Sequence, residues 1–237
     1  MSASNNLSVA LSSVNWNEHV QEFVLDSKTL DTVAACNLRI SLWARQLELA
    51  YAAQPALSFV RALQVELHYS AALLALALYK PAASTMRAAL ESALYFVYFR
   101  NHPQELATLA RDPRYYLSRK DIIEHLQLHE SRFGVCEQAL GLLGRLSTWY
   151  RAISAIVHGT VPGRWMTQTS LKDTKPDAPT RAEATSILTD CAQLIHDLFL
   201  STVAQDAEIW HEFSPDSKVA ILKGIAGPVK ATLALAL

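Results

Sequence analysis

The sequence predicts an all-α protein, an up-and-down helical bundle with extra helices at its ends. Three observations carry that expectation. Alanine and leucine dominate a chain of 237 residues with only 7 glycines, and these residues lose little freedom on entering a helix. The prolines fall where they open helical segments rather than interrupt them. No stretch alternates apolar and polar residues as a half-buried strand does.

The elements follow in order. Asn15 or Asn17 caps a first amphipathic segment reaching about residue 26, and a long helix covers about 29–53. Pro55 suits the first turn of a second long helix ending near Lys80, because proline there wastes no hydrogen bond. Pro81 opens PAASTMRAALESALYFVYFR, and Pro103 a short helix. Ser118 and Asp121 form a capping box, S-R-K-D, ahead of Ile122, Ile123, Leu126 and Leu128, and Gly134 marks that helix's end. A helix over about 135–158 follows, then a polar loop, GTVPGRWMTQTSLKDTKPDAP, over 159–179. Thr180 with Glu183 makes a second capping box for a helix to about residue 203, and Ser214-Pro215 starts a last helix, interrupted near Gly227-Pro228. The chain divides into an N-terminal helical extension (1–55), the bundle proper (56–205) and a C-terminal helical segment (206–237), built as one domain with helical additions at its ends.

Composition removes several classes. Hydrophobic residues make up 51% of the chain, which fits a globular rather than a disordered protein. The longest charge-free apolar run, LHYSAALLALALY, is shorter than the ~20 residues a membrane span needs. MSASNNLSVALSS lacks the basic and apolar regions of a signal peptide, so a cytoplasmic protein with no membrane partner is expected. Cys36, Cys136 and Cys191 are scattered, as buried thiols are, rather than grouped for disulfides or zinc. With no phosphate loop, dinucleotide fingerprint or G-x-S-x-G elbow, no cofactor is expected. Net charge is -1, yet residues 80–165 carry 11 basic against 7 acidic side chains. That surplus suits an anionic partner or, more commonly, a solvated arginine-rich helix face.

The stretch WYRAISAIVHG, residues 149–159, holds the candidate chemistry. Seven helical steps from Arg151 to His158 fall about 20° short of two turns, so both share one face roughly 10 Å apart along the axis. Ser154 lies between them, and Leu142, Leu146, Trp149, Ile153, Ile156 and Val157 make the opposite, core-facing stripe. Traced backwards, the polar face runs through Ser147 and Gly144 to Leu140, with Gly141 on its flank. Small residues at that spacing admit a second helix, either from this chain or from a second copy.

An all-α bundle with Arg-x6-His on a late helix resembles the HEPN superfamily. The fuller string Y-R-x-I-S-x-x-V-H-G and the R-x-x-x-E of Arg87 and Glu91 are similar to a bacterial HEPN-like group, over roughly residues 60–200. The resemblance implies a metal-independent RNA endonuclease, active as a homodimer in which two arginine–histidine pairs converge, with a toxin or phage-defence role and a protein partner such as an antitoxin. His158 would then be the general acid/base and Arg151 the phosphate clamp, supported by Ser154, Glu91 and Arg87. Active members commonly carry a polar residue directly after the arginine, where this chain has Ala152. The superfamily also holds members without nuclease activity, so the alternative is a non-catalytic helical binding protein.

Other residues carry weaker signals. Arg87 and Glu91 are either an intrahelical ion pair, or Glu91 orients His158 or Arg151 from a neighbouring helix. Tyr115 and Tyr116, between Arg114, Arg119 and Lys120, suit a single-stranded RNA groove or a plain exposed turn. His125 and His129, one turn apart, read as a solvated face rather than a metal site, and Glu208 with His211 lacks the second motif a di-iron bundle needs. Tyr95, Phe96, Tyr98 and Phe99 read as core, and Trp165 with Met166 as a pair that docks onto the protein's own core or onto something else.

Overall fold

The computed structural model describes residues 2–166 and 168–236. In chain order the helices are α1 (Ala3–Ser12), α2 (Trp16–Leu25), α3 (Ser27–Ala50), α4 (Leu57–Ala75), α5 (Tyr79–Phe99), α6 (Pro103–Arg111) and α7 (Arg119–His129). They continue with α8 (Phe133–Leu140), α9 (Leu142–Val157), α10 (Ala178–Ser201), α11 (Ala207–Glu212), α12 (Pro215–Leu222) and α13 (Gly227–Leu233). No strand occurs among the described residues, so the all-α bundle is the architecture, and no described helix is long and apolar enough to cross a membrane.

Two helices organise the core. α5 packs against α4, α9 and α10, and its buried Ala82, Ala83, Met86, Ala89, Leu90 and Ala93 combine small and large side chains, which lets neighbouring helices approach closely. α10 is surrounded by α3, α5, α8 and α9, and every residue from Leu194 to Ser201 is buried, as expected of a helix enclosed on all sides. Trp43 of α3 is fully buried, meets Phe199 and Phe213 edge-on, and donates its Nε1–H to His196 Nδ1 at 2.9 Å. Truncating such a residue to alanine costs about 3–5 kcal/mol. Trp43, Trp210 and Phe213 belong to the same apolar cluster as α4 to α10, so both terminal segments share the bundle's core.

Several boundaries differ from the sequence reading. α1, anchored by Ser2 accepting from Asn5 N–H, was not expected, because it buries no residue and shows no core-facing stripe. α4 stops at Ala75 and α5 begins at Tyr79, with Ala77 left-handed at φ 58 between them. Pro81 therefore sits inside the first turn of α5 rather than at its start. The helix expected over 135–158 is two helices. Gly141, left-handed at φ 61, separates α8 from α9, while Gly134 lies inside α8 and α7 already ends at His129. α10 starts at Ala178, capped by Asp177, whose carboxylate accepts Thr180 N–H at 2.9 Å. Glu183 closes no capping box there and instead holds Arg164 and Trp165. Asn15 caps α2, Ser118 and Asp121 form their capping box, and Ser214 caps α12.

Candidate functional site

α9 is amphipathic. It buries Leu142, Leu146, Trp149, Ile153 and Ile156 and turns Gly144, Ser147, Arg151 and His158 to solvent, with Ser154 and Val157 half-buried. His158 is the C-cap, its N–H held by the Ser154 carbonyl at 2.9 Å. Gly159 then takes a left-handed φ of 65°, and Thr160 N–H closes back onto the Ala155 carbonyl at 3.1 Å. This glycine-dependent helix stop fixes where the imidazole leaves the helix. A Cβ on Gly159 would lie 3.4 Å from Lys80 Nζ, so the start of α5 borders the end of α9.

α5 supplies what touches the imidazole. Arg87 Nη1 donates to His158 Nε2 at 2.7 Å, and Arg87 Nε donates to Glu91 Oε1 at 2.9 Å. Because a guanidinium only donates, Nε2 stands as the acceptor in this contact. Tyr150, on α9, donates its hydroxyl to the same Glu91 oxygen at 2.5 Å. Burial first, then that hydrogen bond, pushes the Tyr150 phenol up to about 12. Its ring also receives two cations, with Arg119 Cζ at 4.1 Å and Arg87 Cζ at 4.9 Å from the centroid. Burial opposes the Arg87 charge, but Glu91 outweighs it and holds the guanidinium above its ordinary pKa.

The sequence-derived candidates are thus partly gathered. His158, Arg87, Glu91 and Arg119 form one connected group through Tyr150. Arg151 shares the exposed face of α9, two turns from His158. Glu91 reaches neither His158 nor Arg151; it acts on Arg87 and Tyr150. The ion pair Arg87–Glu91 is real and half-buried. Ser154 serves His158 through its backbone. Tyr150 was not singled out as a site residue, although it stands inside the Y-R-x-I-S string. Lys80 left no signal beyond its charge.

The basic segment is divided. Arg114 is spent on Asp112, and Lys120 lies 3.5 Å from Glu124. Tyr115 donates to Glu105, which with burial raises its phenol to about 12, whereas Tyr116 is exposed. Only Arg119 joins the group around Tyr150. His129 is exposed, as a solvated face requires, whereas His125 departs from it. His125 is half-buried, with its ring centroid 4.7 Å from that of His102 and 4.6 Å from that of His129, because α7 packs on α5 at Tyr98. Among the described residues, no group of three or more His, Cys, Asp or Glu side chains is placed to hold a metal ion. Trp165 is buried and Met166 exposed.

Comparison of this chain with protein-family models, with curated proteins and with solved structures finds no match.

Proposed function

We propose that this protein is a metal-independent RNA endonuclease of HEPN type. The observation that carries the reading is the pairing of an exposed His158 with the Arg87 guanidinium, on the same helix face as the exposed Arg151. An RNA phosphate entering this face draws Arg87 Nη1 onto a non-bridging oxygen and frees His158 Nε2. Nε2 takes the proton of the ribose 2′-hydroxyl, and the 2′-oxygen forms its bond to phosphorus. Arg151 and Arg87 hold the charge that develops on the phosphoryl oxygens. The bond to the 5′-oxygen breaks as that oxygen takes a proton from an imidazolium, leaving a 2′,3′-cyclic phosphate and a 5′-hydroxyl.

A homodimer supplies the second imidazole in this scheme. Gly144 and Ser147 leave the α9 face low and exposed, and a Cβ on Gly144 would meet nothing within 4 Å among the described residues. A second copy fits that ridge. A toxin or phage-defence effector restrained by a protein partner is the biological setting that suits such an activity.

One observation favours a different reading. Arg87 already occupies His158 Nε2, and if that contact is a permanent tie, the same face serves a non-catalytic binding protein. An oligoribonucleotide and its all-2′-deoxy counterpart separate the two. Cleavage of the ribose strand alone supports chemistry through the 2′-hydroxyl, whereas binding of either strand without cleavage supports the binding protein.

A further inference from the structure

Away from the α9 face, three imidazoles stand in a row where α6 and α7 meet the end of α5. His125 is the middle one, its ring centroid 4.7 Å from that of His102 and 4.6 Å from that of His129. His102 caps the start of α6 and stacks on the Tyr98 ring, with 4.2 Å between centroids. Its Nδ1 lies 2.7 Å from the Tyr98 carbonyl, which as an acceptor requires an N–H there. One end of the row is therefore fixed to α5. His125 meets the same tyrosine edge-on, at 4.9 Å.

The carboxylates around the row have donors of their own. Glu105 of α6 takes the Tyr98 and Tyr115 hydroxyls on one oxygen, at 2.8 and 2.7 Å. Glu130, just after α7, takes the buried Arg100 at 2.9 Å. On α7 itself, Asp121 closes the capping box with Ser118, and Glu124 lies 3.5 Å from Lys120. A proton added to His125 is thus opposed by the two neighbouring rings more than these carboxylates help it. Burial first, and then His102 and His129, hold His125 below the ordinary histidine value, with Glu130 and Glu105 offsetting only part of that.

α7 is the element that such a charge can move. It buries only Ile122 and Leu126. Its flanks are tied to α5 by two polar contacts, the Tyr95 hydroxyl on the Leu117 carbonyl at 3.3 Å and Arg100 on Glu130. An element held by so little opens before the core does. Charges on His102 and His125 repel across the boundary between α7 and the end of α5. Charges on His125 and His129, one turn apart, destabilise the helix itself. Arg119 heads the same helix and covers the Tyr150 ring at 4.1 Å. We propose that the His102–His125–His129 row is a pH-operated latch, which when neutral lets α7 lie on α5 and when charged releases α7 and takes Arg119 off the Tyr150 ring. The latch works the same way whatever the His158 face binds or cleaves.

The test is amide hydrogen exchange of the whole protein, followed residue by residue by NMR at pH 7.5 and 5.5 and corrected for the intrinsic rate. Release returns His125 to the ordinary histidine pKa, about 6.5. The released state then binds a proton that the docked state refuses, so release is favoured as pH falls through that value. In the wild type, protection over Ile122–His129 falls at least about 3-fold more than protection in α4. His125→Gln abolishes this excess, whereas His211→Gln, which removes an exposed histidine from α11, keeps it. No excess fall in α7, the same excess in His125→Gln, or a fall confined to residues after His125, as fraying of the helix end would give, would each overturn the latch. Where His125→Gln already frees α7 at pH 7.5, His129→Gln decides. Its excess must be smaller than that of the wild type, because one of the two like-charge pairs is gone, and an undiminished excess overturns the proposal.

Discussion

Arg87 on α5 and His158 at the end of α9, 71 positions apart in sequence, meet in a hydrogen bond of 2.7 Å between Nη1 and Nε2. The same guanidinium holds Glu91 through Nε, so one planar fork positions an imidazole and a carboxylate together. A lysine has a single ammonium and cannot reproduce that fork. Arg87→Lys is expected to lower RNA cleavage at least about 10-fold, while the urea midpoint moves little because the pair is partly exposed. Full activity in the lysine variant would remove Arg87 from the site.

Tyr150 separates hydrogen bonding from ring packing. Tyr150→Phe deletes the donor to Glu91 but keeps the face that Arg119 and Arg87 cover, and should cost about 1 kcal/mol in urea unfolding. Tyr150→Ala also loses the half-buried ring and both cation contacts, and should cost about 2–4 kcal/mol. Equal losses in the two variants would mean that the ring contributes nothing. In an alkaline absorbance titration, Tyr150→Phe should remove a phenol that ionises only near pH 12.

Much of this arrangement was legible in the sequence, for identifiable reasons. The apolar stripe of α9 and the shared face of Arg151 and His158 follow from helical geometry alone. The S-R-K-D box reads directly because both partners sit within four residues. What stayed hidden depends on tertiary contact or on one backbone angle. Gly141 looks like any helix-tolerated glycine until its positive φ splits α8 from α9. That split also takes Leu140 off the α9 ridge. Tyr150 resembles a core aromatic, and only the approach of α5 gives its hydroxyl a carboxylate. Asp177 outcompeted Thr180 as a cap because its carboxylate reaches the N–H that the helix start exposes.

His196 makes a pH prediction independent of function. It is buried, it accepts Trp43 Nε1–H on Nδ1, and burial, with a smaller contribution from Arg39, pushes its pKa down to about 3. An unfolded histidine titrates near 6.5, so below that pH the unfolded state binds a proton the native state refuses. This contribution is fully present above about pH 6.5 and declines toward pH 3, by up to about 1.4 kcal/mol per pH unit. His196→Gln retains an acceptor for Trp43 without the titration. Its unfolding free energy should therefore fall less steeply than wild type between pH 6.5 and 4.5. Parallel slopes for the two proteins would show that His196 is not held neutral.

The proposed chemistry stands or falls on His158. Purified protein is mixed with tRNA in excess chelator, with His158→Ala run in parallel, and the fragment ends are identified. The expected result is cleavage by the wild type to 2′,3′-cyclic phosphate and 5′-hydroxyl ends, with loss of nearly all of it in the variant. Intact RNA with both proteins, or equal cleavage by both, would contradict the assignment of His158 as the proton-transfer group.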